Sequence, residues 1–342
     1  MRRFVLLMGV LCWLGPPASG LAVASSLPPA ATDAQEALAP LRQLLRTPED
    51  RVDLASAKLT IDRMIDPAVD AIETGRKLDA LAARIKARFP KDASSQVKLE
   101  LLVTSLSQPG PWNDHRPFSY DLADPFGRNI RNKLLSTYLA TRKGNCVSMP
   151  VLLVILGQKL GLDLTLATAP EHVLAKFRND QKQWVNIEAT SFGTKRDASY
   201  QQEMGIAPRA IASGIYLRPL TKRESVAVMM ATLMEFDGQQ GRQELRIATA
   251  DLVLQFAPND VVAMLQKGNA YFRIMKARYL SKYRSPDEMP PEQRLDFDGL
   301  QRNNQLWFER AEALGWKMPT QASNAAYQLD MQRTRATHQG GK

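Results

Sequence analysis

The chain has 342 residues, a formal net charge of +10, 44% hydrophobic and 7% aromatic residues, and two cysteines. That length allows one large domain or two modest ones. The basic excess is scattered among acids with no basic run interleaved with aromatics, which argues against nucleic-acid binding and leaves a solvated surface or an anionic envelope partner.

Residues 1–24 read as a secretory signal. Arg2 and Arg3 form a basic start, Phe4 to Leu14 an apolar stretch, Gly15-Pro16-Pro17 a break, and Ala22-Val23-Ala24 an A-x-A cleavage site. The apolar stretch is well short of the roughly 20 residues a membrane span needs, so no stable membrane insertion is expected. Leu11 is too bulky before Cys12 for a lipoprotein signal. Cleavage near Ala24 implies a periplasmic or secreted location and removes Cys12, leaving Cys146 alone. A lone cysteine closes no internal disulfide; it is a small buried hydrophobe, an intermolecular link or a nucleophile.

After a linker over 25–34, four helices are expected. "DAQEALAPLRQLLR" is the first. "PEDRVDLASAKLTIDRMID" sets Leu54, Ala57, Ile61 and Ile65 on one stripe at helical spacing. "PAVDAIETGRKLDALAARIKARF" opens with Pro67, suited to a first turn. "ASSQVKLELLVTSLS" is closed by Pro109-Gly110-Pro111. The texture then changes to an irregular, aromatic- and Asp-rich loop, "PWNDHRPFSYDLADPFGRN", and a short helix, "IRNKLLSTYLATR". Within that loop, Phe118 to Asp121 and Asp124 form either a cleft wall or, more plainly, a structured turn.

In "GNCVSMPVLLVILGQKLGL" the run Val151 to Leu156 belongs in a buried helix, and Pro150 in its first turn. Cys146 therefore sits at or just before a helix N-terminus, where unpaired amides and the positive end of the macrodipole favour a thiolate. Gly144 permits close approach, and Arg142 and Lys143 add positive charge nearby. The plainer reading of Cys146 is a small buried thiol.

Three strand-like runs follow, "LDLTLATA", "HVLAKF" and "QWVNIEAT". One buried helix followed by antiparallel strands indicates an α+β domain. A thiolate nucleophile needs a base, and His172 opens the second strand. With the hairpin centred on Asp180, His172 faces Glu188 directly, with Asn186 on the same face. A carboxylate beside an imidazole fixes its tautomer and stabilises its cation. Taken alone, Glu188 reads more plainly as half of a rim salt bridge.

From about Thr221 the chain returns to helix. Gly268-x-x-Tyr271, with Phe308 and Ala311, suits a tetratricopeptide-like hairpin if "RSPDEMPPEQRLDFDG" is an inserted loop. The tail carrying His338 is expected to be disordered.

"KGNCVSMPVLLVILGQKLGLDLTLATAPEHVLAKF" and "WVNIEATSFG" resemble the transglutaminase-like branch of the papain-like cysteine proteases, over about residues 111–217. The resemblance implies a nucleophile at Cys146, a base at His172, an acid at Glu188 where Asp is usual, and an oxyanion hole that includes the Cys146 N–H. The sequence shows no Walker loop, dinucleotide fingerprint, metal-protease signature or EF-hand-type loop, so neither metal nor cofactor is expected. The expected plan is a signal at 1–24, an N-terminal helical region over 25–110, a papain-like transglutaminase core over 111–218, tetratricopeptide-like helices over 219–335 and a tail over 336–342. The expected function is that of an exported thiol acyl-transfer enzyme, a peptidase, amidase or transglutaminase acting on a protein or peptide in the cell envelope. The alternative is an inactive scaffold whose C-terminal helices bind a protein partner.

Overall fold

The computed structural model describes residues 34–319 apart from 35 and 126; the expected signal, most of the linker, and the tail with His338 lie outside them. Four helices come first: α1 (Ala39–Arg46), α2 (Leu54–Ile65), α3 (Ala71–Lys86) and α4 (Ser95–Ser107). Side chains cap three of them, Asp53, Asp70 and Ser94 accepting from the amides of Ser56, Glu73 and Val97. Leu54, Ala57, Ile61 and Ile65 are buried as one stripe. Pro67 does not open α3, which starts at Ala71 instead, because the Asp70 carboxylate offers a cap that a proline ring cannot.

The aromatic loop is mostly irregular. Its strand β1 (Ser119–Tyr120) pairs in parallel with β2 (Lys143–Gly144), bringing Tyr120 opposite Gly144. Asp124 accepts from the amides of Arg128 and Asn129 and from Asn132 Nδ2, so this stretch is a structured turn. Between the two strands runs α5 (Leu135–Thr141), and after β2 comes α6 (Ser148–Lys159), whose residues Val151 to Leu156 are wholly buried.

A four-stranded antiparallel sheet follows, β3 (Leu164–Ala169), β4 (His172–Arg178), β5 (Trp184–Glu188) and β6 (Gly193–Thr194), in that spatial order. Alternate side chains leave a strand on opposite faces. Leu164, Leu166, Ala175 and Phe177 accordingly join the core around α6. Ala167, Ala169 and Leu174 enter a second cluster on the other face, with Tyr200, Ala210 and Phe308. The outer edge of β3 is covered by residues 217–220, where the Leu217 and Leu220 amides donate to Thr168 and Leu166.

The β4–β5 register differs from the expected one. Ala175 pairs with Ile187 and Lys176 with Asn186, so the hairpin is centred on Gln181 instead of Asp180. The cause is the turn: Asn179 and Gln183 close it by a backbone bond, and Lys182 turns the chain at a φ of 62°. The offset is two residues, so His172 and Glu188 keep a common face but become diagonal neighbours instead of direct partners.

Helix resumes earlier than expected, in the short α7 (Asp197–Glu203) and α8 (Pro208–Ala212). Then come α9 (Lys222–Gln239), opened by a Thr221–Glu224 capping box, α10 (Gln243–Phe256), α11 (Val261–Met275) and α12 (Pro291–Ala313). Each packs on the next, and α9 also packs on α2. The stretch expected as a loop over 284–299 is helical from Pro291 onward. Its first-turn proline suits a helix start, and Phe297 and Leu300 are buried against Ile274, Met275 and Tyr279. Gly268 faces Phe308 across this hairpin. No described helix is long and apolar enough to cross a membrane.

Candidate active site

Cys146 lies in a two-residue turn between β2 and α6 and is half-buried. Asn145 builds the turn: its Oδ1 accepts from the amides of Val147 and Ser148, both at 3.0 Å, while its own amide donates to Ser148 Oγ. This reciprocal cap leaves the Cys146 N–H without a hydrogen-bond partner among the described residues. Pro150 falls in the first turn of α6, where no hydrogen bond is asked of it. Gly144 is required by packing, since a Cβ there would lie 2.5 Å from the Tyr138 ring and 2.7 Å from Met149. The two neighbouring cations serve other partners. Arg142 stacks 4.3 Å over Phe118 and pairs with Asp114, and Lys143 donates to Ser119 Oγ.

His172 enters β4 straight after the Pro170-Glu171 turn, which Glu171 completes at a φ of 54°. Its Nε2 lies 2.8 Å from Glu188 Oε2, with the two side chains 11% and 13% exposed. Cys146 lies near enough to the ring to raise its proton affinity. With Nε2 engaged, Nδ1 is the nitrogen left for the sulfur. The three side chains singled out by sequence therefore meet in one place. Asn186 does share their face, but it donates to the Lys195 carbonyl and to Asp197 and takes no part.

The diagonal register accounts for the glutamate. Diagonal Cβ atoms across a sheet lie farther apart than direct partners, up to about 7–8 Å. The extra methylene of Glu188, compared with Asp, bridges that gap. Two residues that sequence reasoning missed hold the carboxylate. Thr190 donates to Oε1 through its hydroxyl at 2.6 Å and its amide at 3.1 Å, and Tyr200 Oη donates to Oε2 at 2.6 Å. The Thr190 contact spans two residues and could have been sought as a local Ser/Thr turn. Tyr200 lies in the polar stretch "DASYQQE" of α7, which carries no such signal.

Electrostatics follow from this geometry. Burial alone would push the His172 imidazole down, but hydrogen bonds to Cys146 and Glu188 and the charges on both outweigh it and raise it to about 10. Burial likewise pushes the Glu188 carboxyl up. Hydrogen bonds from His172, Thr190 and Tyr200, with the charge on His172, reverse that and bring it down to about 2. At neutral pH the pair is an imidazolium beside a carboxylate.

Residues 73–231 match the sequence model of the transglutaminase-like superfamily. Two UPF0162 proteins, from Xylella fastidiosa strains Temecula1 and 9a5c, are each 23% identical to this chain over 70% of its length and 85% of theirs. A crystal structure of menin is 14% identical, with a TM-score of 0.38, over 81% of this chain and 73% of that one. The mixed helix-and-sheet fold around Cys146, His172 and Glu188 is, over residues 73–231, a core of the transglutaminase-like superfamily.

Proposed function

We propose that this chain is an exported thiol acyl-transfer enzyme that acts on an amide of a protein or peptide in the cell envelope. The observation that carries the reading is the His172 ring held between the Cys146 thiol and the Glu188 carboxylate. Papain-like chemistry then runs as follows. Cys146 Sγ, having passed its proton to His172, attacks the amide carbonyl carbon as a thiolate, and the oxygen, as it gains charge, meets the Cys146 N–H. The His172 imidazolium gives its proton to the leaving amine, the C–N bond breaks, and an acyl-cysteine thioester remains. Water then gives up a proton to His172 and attacks the thioester, the C–S bond breaks, and an acid is released with the Cys146 thiolate and His172 imidazolium restored; an amine acceptor in place of water gives a new amide. Glu188 keeps the ring oriented and stabilises its cation throughout. The step uses only these side chains and the acceptor. Export rests on the reading of residues 1–24.

The test is covalent capture. Mature wild-type protein incubated with a peptide ester should gain the mass of the acyl group, and hydroxylamine should release it. Cys146→Ala should gain nothing. Wild type that stays unmodified with peptide esters and with envelope extracts would sink the enzyme. A non-catalytic scaffold would then be the better reading, favoured by the successive packing of α9 to α12 and the Gly268–Phe308 contact of a repeat-like hairpin.

A further inference from the structure

We propose that Tyr200 is a positioning residue whose hydroxyl fixes the Glu188 carboxylate, and through it the His172 ring, in the orientation that meets Cys146. This deepens the reading of Cys146 as a nucleophile and takes its importance from it.

A glutamate spanning a diagonal carries one more rotatable bond than an aspartate placed directly opposite, and each free torsion blurs where its oxygens sit. Four donors remove that freedom. Thr190 pins Oε1 twice, and Oε2 takes one bond from Tyr200 Oη and one from His172 Nε2. A carboxylate has about four lone-pair sites, so Glu188 is fully satisfied. Thr190 alone would leave the group free to swing about Oε1. Tyr200 holds the other oxygen, the one that touches His172.

The phenol is suited to the task. Burial first, then the charge and hydrogen bond of Glu188, then the charges of Glu203 and Asp197, keep it protonated and therefore a donor at any pH the enzyme meets. Its ring is fully buried in the cluster formed by Ala167, Ala169, Leu174 and Ala210. Lys195 Nζ lies 4.7 Å over the outer side of the ring. The ring thus fills the core while the hydroxyl does the positioning, and Tyr200→Phe separates the two roles.

The experiment follows the His172 ring by 15N-imidazole NMR in a Cys146→Ala background, with and without Tyr200→Phe. The sulfur is absent there, so the result does not depend on whether it is a nucleophile. Tyr200→Phe should cost the ring at least about tenfold in proton affinity, a shift of one pH unit or more, at an unchanged fold. In the Cys146 protein the same change should slow acylation about tenfold or more. A shifted ring in a protein that shows no acylation at all supports the positioning role while removing the enzyme reading. A ring whose titration is unmoved in a folded variant overturns the proposal, even if acylation persists. Should the variant not fold, the wild type decides: a Tyr200 hydroxyl proton protected from solvent exchange supports the role, and one exchanging as fast as free phenol overturns it.

Discussion

Replacing His172 with alanine is expected to slow acylation of Cys146 by about 10²- to 10⁴-fold, the usual contribution of a positioned acid–base group. The loss arises because the ring links the other two members. Its Nε2 is bonded to Glu188, Cys146 is near enough to raise its proton affinity, and in the proposed mechanism the ring is the proton donor to the leaving amine. Glu188→Gln should fall between wild type and His172→Ala, since the ring stays while the charge that stabilises its cation goes. The measurement is the rate of mass gain from a peptide ester at neutral pH, with thermal melts showing that each variant is folded. A His172→Ala protein acylated as fast as wild type would remove the base from the mechanism.

The same residues set a pH dependence of stability. His172 rises on folding from an ordinary 6.5 to about 10, so its contribution is complete below 6.5 and is lost as pH climbs toward 10. Glu188 falls from 4.5 to about 2, so its contribution is complete above 4.5 and is lost as pH drops toward 2. The stability gap between wild type and His172→Ala should therefore be widest between about pH 4.5 and 6.5 and should narrow on both sides. Urea midpoints taken across the pH range read this directly, and a gap that is flat with pH would contradict it.

The largest stability effect is expected elsewhere, at Lys58 on α2. Lys58 and Asp62 are 1% and 0% exposed and pair with each other one helical turn apart. Lys58 Nζ also donates to the Lys133 carbonyl at 2.9 Å, and Asp62 Oδ2 accepts from the Leu135 amide at 2.8 Å. The pair thus clamps the entry to α5, the helix that leads into the Cys146 turn. Asn145 Nδ2 reaches the Asn132 carbonyl beside it. Removing one member of a buried ion pair strands the other charge and costs about 3–5 kcal/mol. For a fold of ordinary stability, about 5–15 kcal/mol, that is a large share. Lys58→Ala should lower the urea midpoint accordingly. Lys58→Met with Asp62→Leu should recover much of the loss, because no charge is then left without a partner. A double variant as unstable as the single one would show that packing, not the stranded charge, sets the cost.

Much of the site was legible in the residues for identifiable reasons. The run Val151 to Leu156 admits only a buried element, and Pro150 marks its first turn, so Cys146 was bound to fall at a helix start. Strand alternation put His172 and Glu188 on one face. The register could not be read, because "RNDQK" contains no glycine to announce which residue turns left-handed, and Lys182 takes that role. The part Asn145 plays, accepting from the Val147 and Ser148 amides, has no separate signal in the sequence, because asparagine suits many turns. The helix over 291–299 was hidden by its prolines and acids, which suit a loop equally well when the buried Phe297 and Leu300 are not yet known to face a partner. The burial of Lys58 and Asp62 has no signal in the sequence, since nothing nearby in the chain reveals that α9 and the Lys133 region pack against α2.

The left-handed residue in the β4–β5 turn has a consequence beyond the turn. Because a strand flips sides at each step, the chemistry depends on the pairing register that this turn sets. A slip of one residue between β4 and β5 would leave a sheet that still packs on α6 but has turned its glutamate away from the imidazole.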